Sequence, residues 1–126
     1  MIVLDASVLI AFLDPSDAMH GEAVSSMLDL GTHRLLVSPI THAEVLVGPA
    51  RSGTLASTQA ALNALGVMEV ALPADAAPQL AGLRATTVLK LPDCCVILAA
   101  QQSASTVLTF DRRLAAVATT LGLGVR

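Results

Sequence analysis

The chain has 126 residues, of which 54% are hydrophobic, with a mean hydropathy of +0.72 and a net charge of −3. That length suits one domain able to bury roughly two-thirds of its unfolded surface, and no apolar run approaches the roughly 18 residues of a membrane span. The acidic balance excludes the broad basic face of a tight, nonspecific nucleic-acid binder, and with Phe12 and Phe110 the only aromatic residues, base stacking on aromatic platforms is not expected. A handful of local bases remains to hold phosphates: Lys90, Arg112, Arg113, and Arg51 or Arg84.

In chain order, short aliphatic runs alternate with longer Ala/Leu-rich stretches, a βαβ rhythm without internal repeats. Ile2 to Asp5 reads as a buried strand, followed by a helix from about Ser7 to Leu13. The opening MIVLDASVLIAF lacks a positively charged leader and sets an acid within its apolar run, so a cytoplasmic location is expected. Asp14-Pro15-Ser16 is a turn and cap, and the next helix runs to Leu30, stopped by Gly31. Leu35 to Ser38 is a second strand. Thr41 opens a helix reaching Gly48-Pro49, and another runs from Thr54 to Leu65, ended by Gly66. Val67 to Leu72 is a third strand and Ala74 to Thr87 a helix. Leu91-Pro92-Asp93 introduces a very apolar helix through Gln102, whose adjacent Cys94 and Cys95 point about 100° apart and read as small core residues. Thr106 to Thr109 is a fourth strand, Arg112 to Leu121 the last helix, and Leu123 to Val125 a short edge strand. Strands joined this way form a mostly parallel sheet with all carboxyl ends along one edge, the edge where open α/β sheets bind ligands.

Four acids stand where an apolar stretch ends or a helix begins: Asp5, Glu44, Asp93 and Asp111. Burying an unpaired charge costs several kcal/mol, so carboxylates beside the most apolar segments imply a compensating positive group, and a hard divalent cation with oxygen ligands is the simplest. Three of the four have an ordinary explanation. Thr41-x-x-Glu44 has capping-box spacing, Asp93 follows Pro92 where the helix dipole favours negative charge, and Asp111 suits an N-cap. Taken singly, capping accounts for these three better than catalysis does. Asp5 interrupts an aliphatic strand and has no such account. Ser7 could cap the first helix, orient Asp5 or bind a water on the cation, and capping is the expected job. His42 and Glu44 lie about 200° apart around a helix and cannot share a site. His20 and His33 read as solvated surface residues. No order of residues suggests covalent catalysis, and there is no Gly-rich phosphate loop.

Taken together, the motifs resemble those of the PIN-domain ribonucleases, most closely the VapC-like toxins of type II toxin–antitoxin modules. Leu4-Asp5-Ala6-Ser7 matches their first Asp-x-Ser/Thr, and Ile40-Thr41-His42-Ala43-Glu44-Val45-Leu46-Val47-Gly48 their helical Glu. Lys90-Leu91-Pro92-Asp93 leading into the apolar helix matches their third acid, and Thr109-Phe110-Asp111 their late Thr-x-Asp. The resemblance spans the chain. It implies a three-layer α/β/α sandwich with a central, mostly parallel sheet, in which Asp5, Glu44 and Asp93 bind Mg²⁺ or Mn²⁺, Asp111 completes the set, and RNA phosphodiesters are cleaved. It further implies a homodimer and a protein antitoxin that inserts a C-terminal segment, often bearing an Arg, into the active-site groove. The apolar excess of the chain agrees with such partner surfaces. The segment Pro49-Ala50-Arg51-Ser52-Gly53 is short, and its neighbourhood is less basic than an RNA-holding surface usually is. Two other readings compete. A haloacid-dehalogenase-like phosphatase needs a second Asp where Ser7 stands and leaves Glu44 without a role. A catalytically silent PIN-fold interaction module would use the acids only as caps.

Overall fold

The computed structural model describes all 126 residues. Four short strands, β1 (Ile2–Leu4), β2 (Leu35–Val37), β3 (Val67–Glu69) and β4 (Thr106–Leu108), pair in the order β3-β2-β1-β4. Every pairing is parallel, with Val3 opposite Leu36 and Val107, and Leu36 opposite Met68. Parallel pairing follows from the helical connections, which carry the chain back to the amino edge before each new strand. The expected tail strand is a single parallel bridge, Val125 to Val107, beyond β4.

Strand side chains alternate between the faces, and the two cores separate accordingly. Ile2, Leu4, Leu35, Val37 and Leu108 belong to one cluster; Val3, Leu36 and Val107 belong to the other. The first face is covered by α1 (Ala6–Leu13), α2 (His20–Asp29), α3 (Pro39–Ser52) and α4 (Leu55–Ala64), which contribute Val8, Leu9, Val45 and Leu62. The second is covered by α5 (Ala76–Thr86), α6 (Leu91–Ser103) and α7 (Arg112–Thr120), through Ile97, Ala100, Leu114 and partly buried Leu80 and Leu83. This is the expected three-layer sandwich. No helix is long and apolar enough to cross a membrane.

Helix α6 is apolar on every side because it is covered on every side: Cys94 through Ala100 are all buried. The two cysteines are therefore core residues, free of any disulfide. Burial pushes both thiols up, assisted by Asp93 beside Cys94 and by Cys94 and Glu44 beside Cys95, so neither is a ready thiolate.

Helix α3 departs from expectation at both ends. Its N-cap is Ser38, whose hydroxyl accepts from the Thr41 amide at 3.1 Å and donates to the Thr41 hydroxyl at 3.0 Å, with Pro39 in the first turn. The helix thus begins two residues before Thr41, and Glu44 is no capping-box partner. At the other end the helix runs through Gly48-Pro49 to Ser52. A proline ring normally clashes with the side chain of the residue before it, and Gly48 has none. The stop comes at Gly53, left-handed at φ 78, where the Gly53 and Thr54 amides both reach the Pro49 carbonyl. Other boundaries shift less. Helix α2 starts at His20, after a turn in which Asp14 and Asp17 accept from the amides of Ser16 and Met19, and β3 ends at Glu69, short of Leu72.

Candidate active site

The strands end in residues that lead directly into the site. Asp5 follows β1 and is the N-cap position of α1, yet its side chain caps nothing. Its amide pairs with the Leu108 carbonyl at 3.0 Å, extending the β1–β4 ladder by one residue. Only 7% exposed, Asp5 is the most buried acid of the chain. Two hydroxyls hold it: Ser7 donates to its Oδ2 at 2.6 Å and Thr109 to the same oxygen at 2.8 Å. Each hydroxyl also accepts a backbone amide from the turn after β4, Ser7 from Phe110 at 3.2 Å and Thr109 from Asp111 at 2.9 Å. A hydroxyl has one proton to give and two lone pairs, so both donors are committed to Asp5. Its Oδ1 accepts nothing from the protein, and since no buried polar side-chain atom lacks a partner, Oδ1 is open to solvent.

Ser7 therefore lies inside α1 and orients Asp5; it does not cap the helix. The reason is tertiary: its hydroxyl donates to Asp5 and accepts from the Phe110 amide in the turn after β4. Thr109 carries an equal role, for which the sequence offered only its place beside Asp111.

The other acids gather around this point. Asp93 sits in the first turn of α6, half-buried, and Glu44 in the second turn of α3. Helices α3 and α6 pack against each other across the carboxyl edge, and α6 against β1. Burial raises the Glu44 carboxyl above its ordinary value, and the charges of Asp5 and then Asp93 raise it further. Asp93 is raised by burial, then by Asp5 and Asp111, while the Lys90 amide and ammonium pull the other way. Asp111 caps α7 as its spacing suggests, its Oδ1 accepting from the Arg113 amide at 2.8 Å and the Leu114 amide at 3.3 Å. Asp93 is thus linked electrostatically to each of the other three acids, and Glu44 to Asp5 as well.

As the side chains stand, no three His, Cys, Asp or Glu residues are arranged to grip a metal ion by themselves. The donor set still fits a small hard cation. Mg²⁺ keeps several waters and needs only one or two direct carboxylates, and Asp5 Oδ1 is an oxygen with no protein donor, near two carboxyls whose ionisation is suppressed.

The histidines stay outside. His42 turns away from Glu44, its Nδ1 2.7 Å from Glu69 on β3. His33 hydrogen-bonds the Leu30 carbonyl in the α2–β2 connection. His20 is not merely a solvated surface residue: its Nδ1 lies 2.8 Å from the Ala11 carbonyl, tying α2 to the end of α1. Beside the acids, a groove of about 490 Å³ runs between α1 and the α3–α4 pair, with Ile10, Leu13, Val45 and Val47 among its walls and Asp14 and Glu44 as its acids.

A parallel sheet with helices on both faces and carboxylates converging at its carboxyl edge defines the class. The PIN domain family matches residues 2–119, and the chain belongs to that family. The fold is that of VapC-type toxins. It superposes on the toxin–antitoxin complex from Klebsiella pneumoniae with a TM-score of 0.77 at 25% identity, covering 93% of this chain and 92% of the other. The sarcin–ricin-loop-cleaving toxin VapC20 of Mycobacterium tuberculosis gives 0.77 at 18% identity, covering 93% and 95%. FitAcB from Neisseria gonorrhoeae gives 0.72 at 21%, covering 99% and 96%. No curated protein matches significantly in sequence.

The suppressed ionisation makes a prediction for the metal-free protein. A carboxyl whose folded pKa is raised above its unfolded value binds its proton more tightly when folded, so it subtracts stability once ionised. That loss is absent below the unfolded pKa, grows as pH rises through the folded pKa, and is complete above it. Glu44→Gln should therefore be more stable than the parent at pH 7 in EDTA, and the difference should vanish near pH 4. Urea unfolding at the two pH values measures it; a Glu44→Gln protein no more stable at pH 7 would show that neither burial nor the neighbouring carboxylates penalise ionised Glu44.

Proposed function

We propose that the whole chain acts as one metal-dependent endoribonuclease domain, the toxin of a toxin–antitoxin pair, with Asp5, Glu44, Asp93 and Asp111 as its acidic centre. One observation carries this reading: Glu44 and Asp93 are each held above their ordinary values by burial and by Asp5. Clustered carboxyls that resist ionisation are stabilised together by a cation and by little else. Asp5, Glu44 and Asp93 would hold Mg²⁺ or Mn²⁺, directly or through water, with Asp111 completing the set through the oxygen its cap leaves free. When bound, the ion supplies an activated water and neutralises charge developing on the phosphate.

The chain's own residues do the rest. Ser7 and Thr109 fix the rotamer of Asp5, so that Oδ2 is saturated and Oδ1 alone faces the site. Lys90, beside Asp93, offers a positive charge to a phosphate oxygen. Incubation of purified protein with structured RNAs, with Mg²⁺ or with EDTA, tests the reading: cleavage only with the metal supports it. Hydrolysis of small phosphomonoesters without RNA cleavage would favour a phosphatase, and no activity on either would favour a silent interaction module.

The antitoxin's seat is the groove between α1 and the α3–α4 pair. Its apolar walls suit a partner's aliphatic side chains, and Glu44 at its edge suits an Arg guanidinium, which binds carboxylates bidentately. An antitoxin that bound without reducing cleavage would contradict this placement. A homodimer and a cytoplasmic location complete the proposal, the dimer supported by the chain's apolar excess.

Thr109→Val keeps the side-chain shape while removing the hydroxyl that holds Asp5. Loss of a group that orients a ligand typically costs 10- to 100-fold in metal affinity, so Mn²⁺ binding by calorimetry should weaken by about that factor. Unchanged affinity would mean that Asp5 needs no clamp.

A further inference from the structure

The acids and bases of this chain are divided unevenly along it. Residues 1–75 contain eight Asp or Glu and two Arg, whereas residues 76–126 contain two Asp and five Lys or Arg. A net charge of −3 conceals an acidic first part and a basic second part. Folding turns that division into layers. The face covered by α1 to α4 carries Asp14, Asp17, Glu22, Asp29 and Glu44, with Arg51 its only helical base. The face covered by α5 to α7 carries Arg84, Lys90, Arg112 and Arg113 beside its two acids, Asp93 and Asp111.

All four bases are exposed, and none pairs with a carboxylate; the one ion pair of the molecule joins His42 to Glu69. They also cluster around the site. Arg84 lies in the last turn of α5, which packs against α6 and leads by a short turn to its start. Lys90 is the N-cap of α6, three residues before Asp93. Arg112 and Arg113 open α7 directly after Asp111, whose charge reaches Asp93. Lys90 acts directly on Asp93, and the arginines stand at the adjoining helix ends, Arg84 in the last turn of α5 and Arg112 and Arg113 in the first turn of α7, whereas the apolar groove lies in the other layer, with α1, α3 and α4. The remaining bases lie elsewhere. Arg34 precedes β2 at the amino edge, and Arg126 lines a small recess with Ser26 and Asp29 of α2.

We infer that the RNA strand crosses the carboxyl edge over the α5–α7 layer, its phosphates held by Arg84, Lys90, Arg112 and Arg113, leaving the α1–α4 groove free of RNA. The inference rests on the nuclease reading above, because Asp93 and Asp111, which share their layer with these bases, belong to its proposed cleavage centre. An acidic layer on the other side repels the strand and fixes its path. Because no aromatic platform is present to read bases, the grip is through the backbone, and choice of target falls to RNA shape.

The test is the salt dependence of binding of a short fluorescein-labelled single-stranded RNA of mixed sequence, read by anisotropy in EDTA. For single strands, log K falls against log salt with a slope of about −0.7 per phosphate neutralised, so four bases give about −3. Arg112→Gln with Arg113→Gln should reduce that slope by about 1.4, and Arg84→Gln or Lys90→Gln by about 0.7 each. Arg34→Gln should leave it unchanged. Slopes that ignore the α5–α7 substitutions, or that respond to Arg34→Gln, would overturn the path. Cleavage by the same proteins in Mg²⁺ separates the two claims. RNA bound with the expected slope but never cut would support this surface while ending the nuclease reading. RNA cut equally well by every variant would end this surface and leave the nuclease reading standing.

Discussion

Asp5→Asn and Asp93→Asn should each lower metal-dependent RNA cleavage by more than about 100-fold while leaving the fold intact. Removing a group that merely orients a ligand costs 10- to 100-fold, and these residues are proposed as ligands themselves, so the loss should exceed that range. Survival of the fold follows from the local chemistry. In Asp5→Asn the amide oxygen can turn to meet the Ser7 and Thr109 hydroxyls, which places the NH₂ group where Oδ1 now faces the site. A donor there repels a cation. In Asp93→Asn the same edge loses one charge from a set in which Asp93 is raised by Asp5 and Asp111, so repulsion falls and the metal-free protein should be at least as stable as the parent. RNA cleavage rates with Mg²⁺, beside thermal melts in EDTA, measure both halves. Full cleavage by either variant would remove the acid from the centre.

Ile97→Ala should destabilise the protein by about 2–5 kcal/mol, the range for truncating a fully buried aliphatic side chain. Ile97 has no solvent exposure and sits midway along α6 in the cluster formed with Val3, Leu36 and Val107. A helix buried all round has nowhere to shift, so the cavity stays open. Since domains are stable by only about 5–15 kcal/mol in total, urea midpoints should move far, and Asp93 at the head of the same helix should lose its footing. A loss below about 1 kcal/mol would mean that α6 can slide to fill the gap.

The layers of this fold are legible in the sequence because short aliphatic runs alternate with longer Ala/Leu-rich helical stretches. Ile2-Val3-Leu4 and Thr106-Val107-Leu108 announce themselves. The acids were legible as positions, since Asp5 breaks an aliphatic run. What they do was less so. Ser38-Pro39-Ile40-Thr41 contains two capping residues, and only the buried hydrogen bond between them settles which one starts α3. Choosing Thr41 gave Glu44 a capping role that it does not have; Pro39, well suited to a first turn, was the signal for Ser38. Gly48-Pro49 suggests a stop, but with no Cβ on Gly48 the steric cost on the residue before the proline is reduced, and the helix continues to Ser52 without the Pro49 amide bond. Orienting Asp5 is one of the roles open to Ser7 from its place two residues on, but the bonds that decide it, from Thr109 to Asp5 and from the Phe110 amide to Ser7, span over 100 residues and form only in the finished sheet.

That last separation sets an order of events at the ribosome. Every residue lining the 490 Å³ groove falls between Ile10 and Thr58, whereas Asp5 cannot be clamped until Thr109 has been translated. At roughly 5–20 residues per second the gap is a few seconds. The nascent chain therefore carries every residue of the groove before the Thr109 hydroxyl that holds Asp5 exists, so the proposed antitoxin seat is synthesised ahead of the finished acidic centre.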